Sequence, residues 1–164
     1  MRLIKKVRQK FYSFFAFRVV AEKGENCKAN SRCHFTRKTH LGYNCNFNGC
    51  TINGNGCVTI GNNFHSGAGL KMITTYHNYD KGEQIPYDGT NIDKDIRIGD
   101  QVWIGTDVLI LGGVTIGEGA VIQAGSVVVF DIPACAVAGG NPAQVFKIRD
   151  EEHYYELKKA QKFR

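Results

Sequence analysis

From Ile98 to Val128 a branched aliphatic stands at every sixth position: Ile98, Ile104, Ile110, Ile116, Ile122 and Val128. Four residues after each of the first five comes a smaller side chain, at Val102, Val108, Val114, Ala120 and Ser126, and glycine follows the aliphatic at Gly99, Gly105 and Gly117. A period of six does not suit an amphipathic helix, whose apolar positions recur near 3.6, but it is three times the strand period. One short strand and one tight turn per hexad, with three hexads to a triangular coil, satisfies the pattern. Each aliphatic then points inward and stacks on its counterpart three hexads later, with successive coils about 4.8 Å apart. Glycine and asparagine fall at the corners, where unusual φ values are needed. The predicted fold is an all-β parallel solenoid.

The rhythm is present earlier in a looser form. Ile60, Ser66 and Met72 keep the spacing with Phe64 and Leu70, and Phe35, Leu41 and Phe47 keep it with Thr39, Cys45 and Thr51. Cys27, Cys33, Cys45 and Cys57 differ by multiples of six, which places all four at the small inward position as core hydrophobes. A phase slip before Phe64 predicts one extra residue around Asn53 to Cys57, at a Gly/Asn-rich corner or bulge. Between Met72 and Ile98 the period lapses, and residues 77–95 read as a polar loop leaving the solenoid, of the kind that is usually functional. The expected order is three coils, the excursion and two more coils, so about five coils over residues 24–149. A helix over 150–164 is expected to cap the exposed edge of the last coil.

Residues 1–23 form a basic amphipathic segment. Leu3, Ile4, Val7, Phe11, Phe14, Phe15 and Val19 have helical spacing, and Arg2, Lys5, Lys6, Arg8, Lys10, Arg18 and Lys23 against Glu22 account for the whole net charge of +6. Two roles fit. The helix packs on the first coil, or residues 1–20 form an interfacial helix at an anionic membrane. The remaining body is neutral, which argues against nucleic-acid binding. At 164 residues with 43% hydrophobic and 22% charged, the chain suits one compact domain. Its six cysteines contain no CxxC pair, so no metal site is expected, and the N-terminus shows neither a signal-peptide pattern nor a long apolar run. Free thiols in a reducing cytoplasm, with peripheral membrane contact as the variant, is the expected setting.

Four features together resemble a known family: the hexads, the loop opening Thr74-Thr75-Tyr76-His77, the segment Val102-Trp103-Ile104-Gly105, and the ending Gly139-Gly140-Asn141-Pro142-Ala143. They resemble the hexapeptide-repeat acyltransferases, in the branch that holds galactoside, maltose, nodulation-sugar and capsule-type sugar acetyltransferases, over residues 35–149. The resemblance implies a left-handed β-helix and a homotrimer whose intersubunit clefts bring acetyl-CoA to a sugar or glycan acceptor for direct O-acetylation. It places His77 as general base, a role suited to an imidazole that is largely neutral at pH 7. It implies acceptor contacts at Asn48 and Trp103. Toward acetyl-CoA it implies Thr106, Gly112, Gly113, Ala124 and Lys147.

Other roles stay open for some of these residues. Asn48 also suits a corner in the left-handed conformation, and Trp103 also suits interface packing. The group that orients His77 is Asp80, Asp95, a backbone carbonyl or a residue of a neighbouring subunit. His65 is a weaker candidate for the same cleft, while His34, His40 and His153 read as surface. Val129-Phe130 and Gln144 depart from the family pattern on the cofactor side. No histidine lies between residues 78 and 152, against the zinc-dependent carbonic anhydrases of this fold, which need three histidine ligands. The alternatives carried forward are N-acetylation of a nucleotide-linked amino sugar, acetylation of a xenobiotic, and a non-catalytic trimeric scaffold.

Overall fold

A computed structural model describes residues 2–164, Arg2 by its backbone alone. The body is a left-handed parallel β-helix with three faces. Glu22–Lys23, Thr39–Leu41, Val58–Ile60, Ile96–Ile98 and Thr115–Ile116 stack in parallel as the first face. Lys28–Ala29, Asn46–Phe47, His65–Ser66, Trp103–Ile104, Val121–Ile122 and Ala136–Gly140 form the second, and Cys33–His34, Cys50–Asn53, Leu70–Ile73, Leu109–Leu111 and Val127–Val128 the third. This makes five full coils and the beginning of a sixth, which a bridge between Ile116 and Ile132 starts. Three coils precede the excursion and two follow it, as the hexads predict.

The corners explain the residue types found there. Between the first and second faces Asn26, Asn44, Asn63, Gln101 and Gly119 all adopt positive φ, one per coil, and the Asn44 amide donates to Asn63 Oδ1 at 2.8 Å, linking two coils. Gly105 has a different reason to be glycine. A Cβ there would lie 2.4 Å from the Ala124 backbone nitrogen, so the close stacking of coils excludes a side chain.

Each face advances by three full hexads per coil where the hexads are strict: Arg97 pairs with Thr115, Trp103 with Val121 and Leu109 with Val127. In the first half the register departs from this. Cys33 pairs with Cys50 and Cys50 with Leu70, because the turn from Phe47 to Cys50 lacks one residue and the corner after Asn53 carries two extra. The net extra residue falls where the phase slip places it, but two inward assignments change. Cys50 and Ile52 are buried instead of Thr51, and Val58 is buried instead of Cys57, which is half-exposed. Cys27 is likewise only half-buried, while Cys33 and Cys45 sit in the core. All six cysteines are free thiols.

The interior of the first coils is aromatic. Phe35, Phe47 and Phe64 follow one another with ring centroids 5.0 and 5.2 Å apart, and Phe17 from the N-terminal helix stacks on Phe35 at 5.7 Å. That helix, α1 (Arg2–Phe17), therefore closes the first coil. At the other end, Ala143–Ile148 returns antiparallel along Ala136–Gly140 and covers the edge of the second face. The C-terminal helix α2 (Glu151–Lys159) does not cap the last coil as expected, and it ends short of residue 164. Instead it lies along the corner between the first and second faces. Tyr154 is buried against Gly119 and donates to Gln101 and Glu118, and the carbonyl of Arg164 accepts from Asn44. The residues explain the path: Asp150 caps the helix by accepting from the His153 N–H at 3.0 Å, and one face then offers Tyr154 and Lys158 to Glu118.

Candidate active site

Across the excursion the coils pair at one common offset on all three faces, Val58 with Ile96, His65 with Trp103 and Lys71 with Leu109, so the inserted segment leaves the solenoid and returns to the same register. It leaves as an antiparallel hairpin of Thr75–His77 and Asn91–Asp93, with His77 opposite Asn91. Thr74 and Thr75 tie its root to the long corner of the second coil: Thr75 Oγ1 accepts from Asn55 N at 2.7 Å and Thr74 Oγ1 accepts from Gly56 N at 3.2 Å. Beyond the strands, Asp88 organises the loop by accepting from the backbone N–H groups of Thr90 and Glu83 at 2.8 and 3.0 Å. These bonds, first of all those from Thr90, hold its carboxyl below the usual carboxylate range.

His77 is exposed at the end of this ladder, and its ring stacks on Tyr87 with centroids 4.0 Å apart and planes 7° from parallel. Among the described residues neither ring nitrogen has a hydrogen-bond partner. Asp95, one expected orienting group, is engaged elsewhere, accepting from Cys57 N at 2.8 Å and facing Arg97. Asp80 is exposed and makes no bond to His77. The ring is thus held in plane by an aromatic neighbour, with both nitrogens free for an acceptor or a neighbouring chain. Tyr87 was not legible as a partner, since residues 77–95 have no period to place it.

Gly112 and Gly113 lie at the same corner, under the hairpin root. Tyr76 OH accepts from Gly112 N at 2.7 Å, and a Cβ on Gly112 would lie 2.8 Å from the Lys94 carbonyl oxygen. Burial raises the Tyr76 phenol, which stays protonated. Gly112 therefore makes room for this chain's own Lys94 and Tyr76. Gly113 has φ +94, a left-handed conformation that suits glycine, and is exposed.

The other predicted residues stand elsewhere. Asn48, Thr106 and Ala124 share the corner between the second and third faces, and all three are exposed. Asn48 is not in the left-handed conformation; Gly49 is. Its side chain accepts from Asn30 at 3.0 Å and donates to the Ser66 carbonyl at 2.7 Å, which fixes its rotamer and leaves one N–H free. Trp103 is 58% exposed on the second face, in register between His65 and Val121. His65 thus does neighbour Trp103, and its ring approaches the Arg164 carbonyl at 3.3 Å. Lys147 is exposed on the returning strand, opposite Val137.

Residues 95–129 match the family model of the bacterial transferase hexapeptide (six repeats). The galactoside O-acetyltransferase of Escherichia coli K12 is 38% identical over 141 residues, which span 82% of this chain and 68% of that protein. The chain belongs to the hexapeptide-repeat acetyltransferases. A solved structure of galactoside acetyltransferase in complex with coenzyme A superposes with a TM-score of 0.72 at 30% identity, covering 93% of this chain and 84% of the other. A Schizosaccharomyces pombe protein provisionally described as an acetyltransferase is 42% identical over 119 residues, 72% of this chain, and the chain spans about half (54%) of that relative's length.

For a hexapeptide-repeat acetyltransferase the arrangement has one consequence: the third face separates the predicted residues. His77, Gly112 and Gly113 flank it on one corner and Asn48, Thr106 and Ala124 on the other, so a single chain does not bring His77 to Asn48 or Trp103. From the third coil onward the outward side chains of that face include the half-buried apolar Ile73, Leu109, Leu111 and Val127, with exposed Lys71 paired to Leu109 and Phe130 at 65% exposure next to them. In the first two coils they are His34, Thr51 and Asn53. The corner between the second and third faces is a lane of small residues, Gly67, Thr106 and Ala124, with open space beside Gly125. Phe130 and Gln144 carry no charge, and Lys147, predicted for the phosphates of acetyl-CoA, is exposed.

Proposed function

We propose that the protein is an acetyl-CoA-dependent O-acetyltransferase that acetylates a sugar hydroxyl, in surface polysaccharide or related glycan synthesis, at clefts between subunits of a homotrimer. The observation that carries this reading is His77, held exposed at a hairpin end with both ring nitrogens free. It stands across the third face, whose outward Ile73, Leu109, Leu111 and Val127 are apolar and flank Lys71, from the corner lane of Asn48, Thr106 and Ala124. Packing that face against other copies covers Ile73, Leu109, Leu111 and Val127 and lets one chain's His77 corner meet a neighbour's lane. The galactoside acetyltransferase likeness supports a sugar acceptor.

The thioester supplies an acyl carbonyl open to direct attack. His77 takes the proton from the acceptor hydroxyl as its oxygen attacks the acyl carbonyl, so that no alkoxide has to form beforehand, and returns it to the coenzyme A sulfur as the C–S bond breaks and the thiol leaves. Tyr87 keeps the imidazole plane fixed during the transfer. The free N–H of Asn48 and the face of Trp103 orient the acceptor, while the small side chains at Thr106 and Ala124 admit the donor along the backbone. Lys147 offers its ammonium to the donor's phosphates.

Calorimetric titration with acetyl-CoA, followed by thiol release across a sugar panel, tests the reading. One site per chain is expected, and His77→Ala should lower kcat by about 10²- to 10⁴-fold while acetyl-CoA still binds. Activity of that variant within a few-fold of wild type excludes the general-base role. Absence of acetyl-CoA binding at millimolar ligand favours the scaffold. Mixing the His77→Ala and Trp103→Ala chains, each inactive alone, should restore activity if the cleft draws on two subunits.

A further inference from the structure

We propose that α1 is an interfacial anchor, which docks the solenoid on an anionic membrane surface through the helix face turned away from the body. The helix meets the first coil through Gln9, Tyr12, Ser13, Ala16 and Phe17. Ser13 Oγ accepts from Ala29 N at 3.0 Å, Gln9 reaches Asn30, and Ala16 and Phe17 are buried. At 3.6 residues per turn these positions fall on one side of the helix. Leu3, Ile4, Val7, Phe11, Phe14 and Phe15 fall on the opposite side, and all six are exposed, Leu3 at 74% and Phe14 at 68%. The apolar stripe predicted from the sequence is therefore not the face that packs. Phe11, Phe14 and Phe15 gather on it, with ring centroids 4.8 and 5.3 Å apart, and so form a continuous apolar patch of the kind that marks an interaction surface.

Charge decides what covers it. The sequence Arg2–Phe17 contains no acidic residue. By the same helical geometry Arg8 lies on one flank of the stripe and Lys10 on the other, with Lys5 and Lys6 further round toward the body, and the Arg18 guanidinium lies 5.1 Å from the Phe15 ring centre. An apolar stripe between two basic flanks matches the boundary between acyl chains and anionic headgroups. A second copy of the chain would bring like charges together along both flanks. No helix among the described residues is long and apolar enough to cross a membrane, so α1 lies on the surface. Because Phe17 is stacked on Phe35, a docked helix holds the solenoid at a fixed angle to the lipid.

Flotation of the full chain with phosphatidylcholine vesicles, with and without phosphatidylglycerol, tests this without acetyl-CoA or an acceptor, so its failure is separate from failure of the acetyltransferase reading. Binding should be on the order of tenfold stronger to the anionic vesicles and should weaken with salt. Phe11→Glu with Phe14→Glu, both on the exposed face, should reduce it by at least about tenfold with acetyl-CoA binding retained. Equal binding to neutral and anionic vesicles, or undiminished binding by the double variant, overturns the proposal. So does a change of oligomeric state in that variant without lipid, which would give the face to another copy of the chain.

Discussion

The two coils after the excursion and the three before it bury their cores by different means. After it, register advances by three full hexads at every face, and Ile104, Ile110, Ile116 and Ile122 fill the core with one shape repeated. Before it, the third face falls one short of that advance between Cys33 and Cys50 and then exceeds it by two between Cys50 and Leu70, and the core mixes Phe47 and Phe64 with Cys45 and Cys50. Large rings beside small thiols are buried there, where the later coils bury aliphatics of one size. A β-helix therefore requires stacked backbone and a filled interior, and it tolerates a corner that gains or loses a residue. The irregular half uses that tolerance, because the long corner at Asn53–Cys57 receives Thr74 and Thr75 and so roots the hairpin that carries His77.

The largest test of this comparison is Phe47→Ala. Phe47 is fully buried between Phe35 and Phe64, and its truncation should cost about 3–5 kcal/mol in urea unfolding, against about 2–5 for Ile104→Ala. A loss near 1 kcal/mol would show the irregular half to be loosely packed, which breaks the comparison.

Next comes the stacking itself. Gly105→Ala puts a Cβ 2.4 Å from Ala124 N and should cost about 1–3 kcal/mol through forced separation of two strict coils. Gly125→Ala meets open space, and only its φ of +72 opposes the methyl, so about 1 kcal/mol is expected. Thermal unfolding that ranks the two in reverse would mean that φ, and not coil approach, governs these glycines.

Thr75→Ala sharpens the functional side. It removes the acceptor for Asn55 N and the donor to Asp93 Oδ1, which join the long corner to both hairpin strands. We expect kcat to fall about tenfold as His77 loses its fixed position, with acetyl-CoA binding unchanged and Thr75→Ser close to wild type. An unaltered kcat would show that the hairpin needs no such root.

How far these features could be read in advance follows the same division. Ile98 to Val128 repeat so strictly that the later coils, their inward residues and their glycines are all legible. In the earlier coils the adjacent pairs Cys50–Thr51 and Cys57–Val58 are all small, so size does not reveal which member points inward, and only the ladder does. His77 was legible through its motif. Tyr87, Tyr76 and Lys94 were not, because an aperiodic loop encodes no neighbours. For α1 the spacing of Leu3, Ile4, Val7 and Phe11 shows that an apolar face exists, but the burial of Ala16 and Phe17 is what shows that the face points outward.

The smallest effect concerns α2, which joins the two halves: Tyr154 and Lys158 hold it to Gln101 and Glu118 of the strict coils, and the Arg164 carbonyl meets Asn44 and His65 of the irregular ones. Burial, helped by the Glu118 carboxylate, raises the Tyr154 phenol above its ordinary range, and the bond to Glu118 at 2.6 Å raises Lys158. Both groups are thus favoured in their protonated forms when docked. Their contribution is complete below the ordinary tyrosine and lysine range and is lost as pH rises through the elevated values. Alkaline titration should therefore release α2 and its tail while the coils stay folded, seen as hydrogen exchange rising first in residues 151–164. Lys158 is partly exposed and screened by solvent, so the shift in overall stability should be modest. Tyr154→Phe should remove most of the pH dependence, and a variant that titrates as wild type would assign the docking to the tail contacts in the irregular half.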